Sequence, residues 1–253
     1  MIRLLGFPRS GTSWLRYVVT MLTGLKPWHA NGNSDLHDIL KDHIDDQDEK
    51  KFIKYHYVAD IDYYSYWAGN PNQEKDLLIF VHRNMIENVL SYFYSNFINQ
   101  SLEKKEIDPE NLHSRYKLVF EMDEEEFINF ALKDGECNFE IFNSMKAYLI
   151  DMNYYTNWGG KKILIDYDNL VNDPKVEIDR LYEFLSSDSQ KYQYLLDNLD
   201  HHKDKVLNFK KGHKMKINTN GKDLSFWRTR LNSTSMEKIK VMFDRCQEEL
   251  SKD

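Results

Sequence analysis

Cysteine is almost absent from this 253-residue chain: Cys137 and Cys246 are its only two, more than a hundred positions apart. With no C-x-x-C spacing, neither a disulfide framework nor a thiolate zinc site is indicated, and a reducing compartment fits. Long apolar runs are also missing. The stretch LRYVVTMLTGL is short and interrupted by Arg16, and nothing else reaches the ~20 residues that cross a bilayer. A glycine motif beginning at Gly6 leaves no room for a signal peptide, so the expected location is cytoplasmic, with no membrane partner. Positive charge is in deficit. Lys and Arg number 34 against 41 Asp and Glu, a net charge of −7, which argues against nucleic acid as a partner. Internal repeats, low-complexity tracts, an H-E-x-x-H pair and an acidic metal-binding triad are lacking too, so no metal is expected. What remains is 41% apolar, 14% aromatic and 30% charged, the balance of one globular domain spanning 1–253.

Residues 2–5, IRLL, read as a buried strand feeding GFPRSGTSW. TSWLRYVVTMLTG then places Trp14, Leu15, Val18, Val19 and Leu22 at helical spacing, with Gly24 as a stop. Further strands are predicted at 51–57, 76–82 and 161–167, with helical patterns at 84–97, 125–132 and 140–152. This alternation predicts an α/β fold: a mainly parallel central sheet flanked by helices on both faces, opening on a P-loop-like strand-loop-helix. Asp173 and Pro174 suit the N-cap and first position of a helix over PKVEIDRLYEFL, and SMEKIKVMFDRCQEEL forms a last one. Residues 100–126, charged and poor in large apolar side chains, are expected to be an insertion or mobile excursion. Residues 203–222 hold seven lysines and a glycine-centred turn, KKGHK, with little periodicity.

Four constellations carry the chemistry. Gly6, four residues, Gly11, Thr12 and Ser13 trace a phosphate-cradling loop, but Thr12 stands where a nucleoside triphosphatase has lysine; the cation is Arg9. Ser10, Thr12 and Ser13 either donate hydroxyls to phosphate or cap a tight turn. Arg83 ends a strand, with Ser91 about two helical turns on; the pair either grips a second phosphate at the carboxyl end of the sheet or caps a helix and faces solvent. Lys210, Lys211 and Gly212 form either a third anionic grip or a solvated basic loop. His56, near the end of the second long strand, is either a general base or a core histidine. Aromatic residues crowd 52–67 and 92–97 and either floor an acceptor pocket or pack the core.

These segments resemble the sulfotransferases that use 3′-phosphoadenosine 5′-phosphosulfate (PAPS). PRSGTSW is similar to their 5′-phosphosulfate loop, P-[KR]-[ST]-G-T-[ST]-W. FVHRNMIENVLSYF resembles their 3′-phosphate segment, KKG their late R-K-G, IKYHY their K-T-H, and IDYDNLVNDPKVEIDRLYEFL their Y-E-D-x-x-x-D-P stretch. The matches keep the family's order and cover about a quarter of the chain. The resemblance implies transfer of a sulfuryl group from PAPS to a hydroxyl or amine of a small-molecule or carbohydrate acceptor, releasing 3′-phosphoadenosine 5′-phosphate (PAP). It implies that Arg9, Ser10, Gly11, Thr12 and Ser13 bind the 5′-phosphate and that Trp14 and Tyr167 contact adenine. Arg83, Ser91, Lys210, Lys211 and Gly212 would hold the 3′-phosphate, with His56 as base and Arg9 stabilising the departing phosphate.

The chain departs from that pattern at four points: Arg9 for lysine, Tyr55 inside K-T-H, Met85 for proline and Lys210 for arginine. Tyr55 leaves Asp60 or Asp62 as other candidates for the base. Two rival readings are a P-loop kinase or hydrolase, with Asp166 as its magnesium-binding aspartate, and a nucleotide-binding protein without turnover.

Overall fold

The computed structural model describes residues 1–8, 10–28, 37–45, 51–61, 69–92, 136–212 and 233–252. The expected excursion at 100–126 and helix at 125–132 lie outside them. Two compact units are distinguished: Met1–Arg83 with Ile150–His213, and Asn84–Leu149 with Lys214–Asp253.

The first unit is an α/β layer around a five-stranded sheet of order β2-β3-β1-β4-β5. Its strands are β1 (Ile2–Leu5), β2 (Lys26–Trp28), β3 (Lys51–Tyr55), β4 (Leu77–His82) and β5 (Lys162–Asp166), and every pairing is parallel. Helices α1 (Thr12–Thr23), α2 (His37–Leu40), α5 (Tyr167–Asn172), α6 (Pro174–Leu185), α7 (Ser189–Asp197) and α8 (Leu199–Gly212) belong to it. Between these in the chain lie α3 (85–92) and α4 (Glu136–Asn157). Strand periodicity of two sorts the side chains between two cores. Leu4, Phe52, Ile79, Val81, Ile163 and Ile165 meet α1, α6, α7 and α8 on one face. Leu5, Ile53, Tyr55, Leu78 and Phe80 face the other way, where Met152, Tyr154 and Tyr155 from the end of α4 cover them together with Trp158.

At the amino end of the sheet, the buried Arg3 guanidinium donates to Asp76 at 2.6 Å, to the Tyr55 hydroxyl at 2.6 Å and to the Gly69 and Asn70 carbonyls. Asp76 also accepts from the Met1 amine at 2.9 Å and the Asn72 N–H at 3.0 Å. Burial opposes its charge, but these donors outweigh burial and hold the Asp76 carboxyl below its ordinary range.

In the second unit, α9 (Ser233–Leu250) packs on α4: Arg245 lies 4.6 Å over the Phe142 ring, and the Cys246 thiol donates to the Phe142 carbonyl. Burial, reinforced by Glu249, pushes that thiol up to about 11, so Cys246 is an inert core residue. Val89 and Leu90 are buried in α3.

The four predicted strands are present, with β3 ending at Tyr55, two residues short of the expected 57, so that His56 follows the strand; the α1 boundaries match, with Gly24 closing α1. Two points differ from expectation. Lys26–Trp28 is a strand, unmarked because it is three residues long and holds Pro27 at a sheet edge. Asp173 is the N-cap of α6 with Pro174 in its first turn, as expected, although its side chain makes no cap hydrogen bond; its N–H also closes α5 on the Asn169 carbonyl. Residues 203–212 are helical, not a loop. The apolar stripe of α8 is sparse: Leu199, His202 and Val206 supply it at helical spacing, and lysines obscure it.

Candidate active site

β1 is the middle strand, where the chain's connections turn from one side of the sheet to the other, so the loop after Leu5 lies at the position where parallel α/β sheets bind ligands. The Gly6 N–H donates to the Tyr55 carbonyl at 3.3 Å, and both the N–H and hydroxyl of Ser10 donate to the Phe7 carbonyl, which curls the loop tightly. That turn uses the Ser10 hydroxyl internally. Gly6 has no space for a side chain, since a Cβ would come 2.6 Å from Thr12 Cγ2. Gly11 has φ +82°, and a Cβ there would come 2.7 Å from the Tyr167 ring. As N-cap of α1, Gly11 offers no side-chain acceptor, and the first turn contains no acid. The opening N–H groups of α1 therefore present donors and a partial positive charge around Thr12 and Ser13.

Arg83 follows β4 and Tyr167 follows β5, two adjacent strands paired His82 to Asp166. The Arg83 guanidinium carbon stands 4.5 Å from the centre of the Tyr167 ring, the same ring that packs against Gly11. Glycine loop, β4 end and β5 end thus meet at one edge through a single aromatic side chain. Stacking occupies the face of the guanidinium, whose donors lie in its plane. Trp14 stacks on Tyr17 at 5.7 Å and 17°, and its indole N–H has no hydrogen-bond partner among the described residues.

His56 comes directly after β3. Period two sets Lys54 and His56 on the same side and sends Tyr55 to the opposite core, so Tyr55 does not separate them. The Lys54 ammonium reaches the imidazole, 2.7 Å from Nδ1, and also touches Nε2. An ammonium only donates, so the imidazole accepts from it, as a neutral ring can. Next door, the Tyr57 ring meets Phe7 of the loop edge-on at 5.4 Å. Asp60 Oδ2 accepts from the His56 N–H at 2.8 Å and the Tyr57 N–H at 3.1 Å, which commits that oxygen to the turn. Asp166 is committed likewise, accepting from the Asn169 N–H at 2.9 Å as the cap of α5.

Of the other predicted site residues, Arg9 and Asp62 lie outside the described set. Ser91 is half-buried on α3, in the second unit. Lys210, Lys211 and Gly212 form the last turn of α8, not the predicted loop.

The sequence reading passed over three residues here. Lys54 was legible in principle from its two-residue spacing to His56. Arg16, noted above only as a break in an apolar run, is buried one turn into α1 and donates weakly to Ser13 Oγ at 3.4 Å. Asp151 on α4 is 1% exposed; its Oδ1 accepts from the Val58 N–H at 2.7 Å, and its Oδ2 has no partner among the described residues. Burial, aided by the Asp60 charge and opposed by the Val58 hydrogen bond, pushes it up to about 7.

No family model and no curated protein matches the chain. Among solved structures it is similar to mouse sulfotransferase SULT7A1 complexed with PAP, at 16% identity and a TM-score of 0.41, over 78% of this chain. The match spans 62% of that structure's length. Among the described residues, no helix is long and apolar enough to cross a membrane.

Proposed function

We propose that this chain is a PAPS-dependent sulfotransferase that acts on a hydroxyl or amine acceptor. The observation that carries the reading is the Tyr167 ring, which bridges Gly11 of the loop and Arg83 of β4. An adenine nucleotide phosphorylated at both its 5′ and 3′ positions needs two anion grips on one sheet edge with an aromatic surface between them, and this arrangement supports that ligand. The loop fits a phosphate held by backbone. Both glycines are sterically required, α1 presents uncapped N–H groups, and no acid stands in its first turn.

When bound, PAPS supplies an electrophilic sulfuryl group on a phosphate leaving group. His56, on the turn fixed by Asp60, takes the acceptor's proton as the acceptor's oxygen or nitrogen attacks, once the Lys54 ammonium turns from the imidazole lone pair it contacts toward the incoming anion. Arg9 and the α1 N-terminus stabilise the charge that grows on the phosphate side. A lysine at position 12, which a nucleotide kinase uses on outer phosphates, is not required for a ligand without a γ-phosphate, and Asp166 is occupied as a helix cap.

Thermal unfolding with PAP, ATP with Mg²⁺, or neither tests the reading. PAP alone is expected to raise Tm; stabilisation by ATP with Mg²⁺ and none by PAP would replace it with a kinase or hydrolase. Labelled PAPS offered to pools of phenols, alcohols, sugars and amines then identifies the acceptor.

A further inference from the structure

We propose that Asp151 is a positioning residue for His56: together with Asp60 it receives the three successive backbone N–H groups of residues 56–58 and fixes the turn from which the imidazole projects. The inference rests on His56 being the base. β3 ends at Tyr55 and a helical turn begins at residue 58, so the N–H groups between them have left the sheet and need acceptors. Asp60 takes those of His56 and Tyr57, but it belongs to the same turn and would move with it. Asp151 comes from α4, 93 positions away, and its 2.7 Å bond to Val58 ties the turn to the scaffold.

A capping role alone does not account for the choice of residue. A carboxyl that is 1% exposed, with one oxygen unpartnered among the described residues, is an expensive acceptor, where an asparagine would accept the same N–H without a charge. Among the described residues Asp60 is the charged group acting on it, and the Asp60 charge disfavours ionisation of Asp151. Ionised Asp151 accepts strongly from Val58 and repels Asp60; protonated Asp151 relieves that repulsion and has an O–H to donate through Oδ2. The hold on the turn therefore changes across neutral pH, where an imidazole base also changes state.

Two variants test this. Asp151→Leu removes the acceptor, and Asp151→Asn keeps Oδ1 but cannot ionise. In Asp151→Leu the Val58 amide is expected to exchange about tenfold faster while β1 and β4 amides stay protected, and the His56 imidazole titration shifts by NMR. With PAPS and an acceptor, kcat should fall about tenfold at unchanged KM for PAPS, and Asp151→Asn should restore it to within about threefold of wild type. The Val58 amide shift, which moves with pH around 7 in the wild type, should be flat in Asp151→Asn. Wild-type Val58 exchange, His56 titration or kcat in the leucine variant overturns the proposal. Should that variant not fold, a Val58 shift that still titrates in Asp151→Asn overturns it. Failure of the sulfotransferase reading shows separately, as a wild-type protein whose Tm ignores PAP, and the Val58 and His56 readouts need no turnover.

Discussion

At Gly11 a single methyl group has two separate costs. The residue's φ of +82° disfavours any L side chain, and the added carbon would press on the Tyr167 ring that stacks with Arg83. Gly11→Ala is expected to lose about 1–2 kcal/mol in urea unfolding from the backbone alone. PAP affinity should fall with it, because the displaced ring takes Arg83 along; wild-type stability would mean that the loop has some other conformation. Arg9 is the loop's only cation. One preorganised donor at a developing charge is worth roughly 2.7–4 kcal/mol, whereas a helix terminus contributes about 0.3–2 kcal/mol. Arg9→Ala should therefore lower kcat by about 10²–10³-fold, with Arg9→Lys between the two. Single-turnover rates with saturating PAPS measure it, and a loss confined to KM would remove Arg9 from the chemical step.

Among the elements, α1 and α8 are joined by a buried polar contact whose protonation has a defined direction. His202 Nδ1 and the Tyr17 hydroxyl lie 2.8 Å apart, and His202 Nε2 has no partner among the described residues. Burial first, then the neighbouring His43, His201 and Lys205, pushes His202 down to about 4. Its neutral form favours the fold fully above the unfolded value of about 6.5, and that contribution is lost as pH falls through about 4. Unfolding free energy should decline between those limits, and His202→Gln should flatten the slope; an unchanged slope would assign it to other groups. The same helices show what was legible beforehand. β1, β3 and β4 are buried on both faces and β5 fully on one, and each carries enough apolar residues to read as a strand. By contrast α7 buries only Leu195 and α8 hides its stripe among lysines, so neither rises above a polar background. Loop, Arg83 and Tyr167 were legible because ordered spacing along the chain marks them, while Asp151 was not. Nothing in YLIDMNYY distinguishes that aspartate until the turn at Val58, far off in sequence, closes over it.

For the whole chain, ligand binding should be visible as stability. PAP at a hundred times its Kd should add about 2.7 kcal/mol, a concentration-dependent rise in Tm. Adenosine 5′-monophosphate, which lacks the 3′-phosphate, should give a smaller rise at equal concentration, and an equal one would take Arg83 out of the grip.

The strand order has a consequence for assembly. β1 sits at the centre yet precedes both of its neighbours in the chain, β3 and β4, which come from residues 51–55 and 77–82. During synthesis the glycine loop therefore emerges on a strand with no partner on either side. Because those contacts are distant in sequence, anion affinity should arise late and all at once, when the flanking strands dock, and a nascent chain cut before β4 should show none of it.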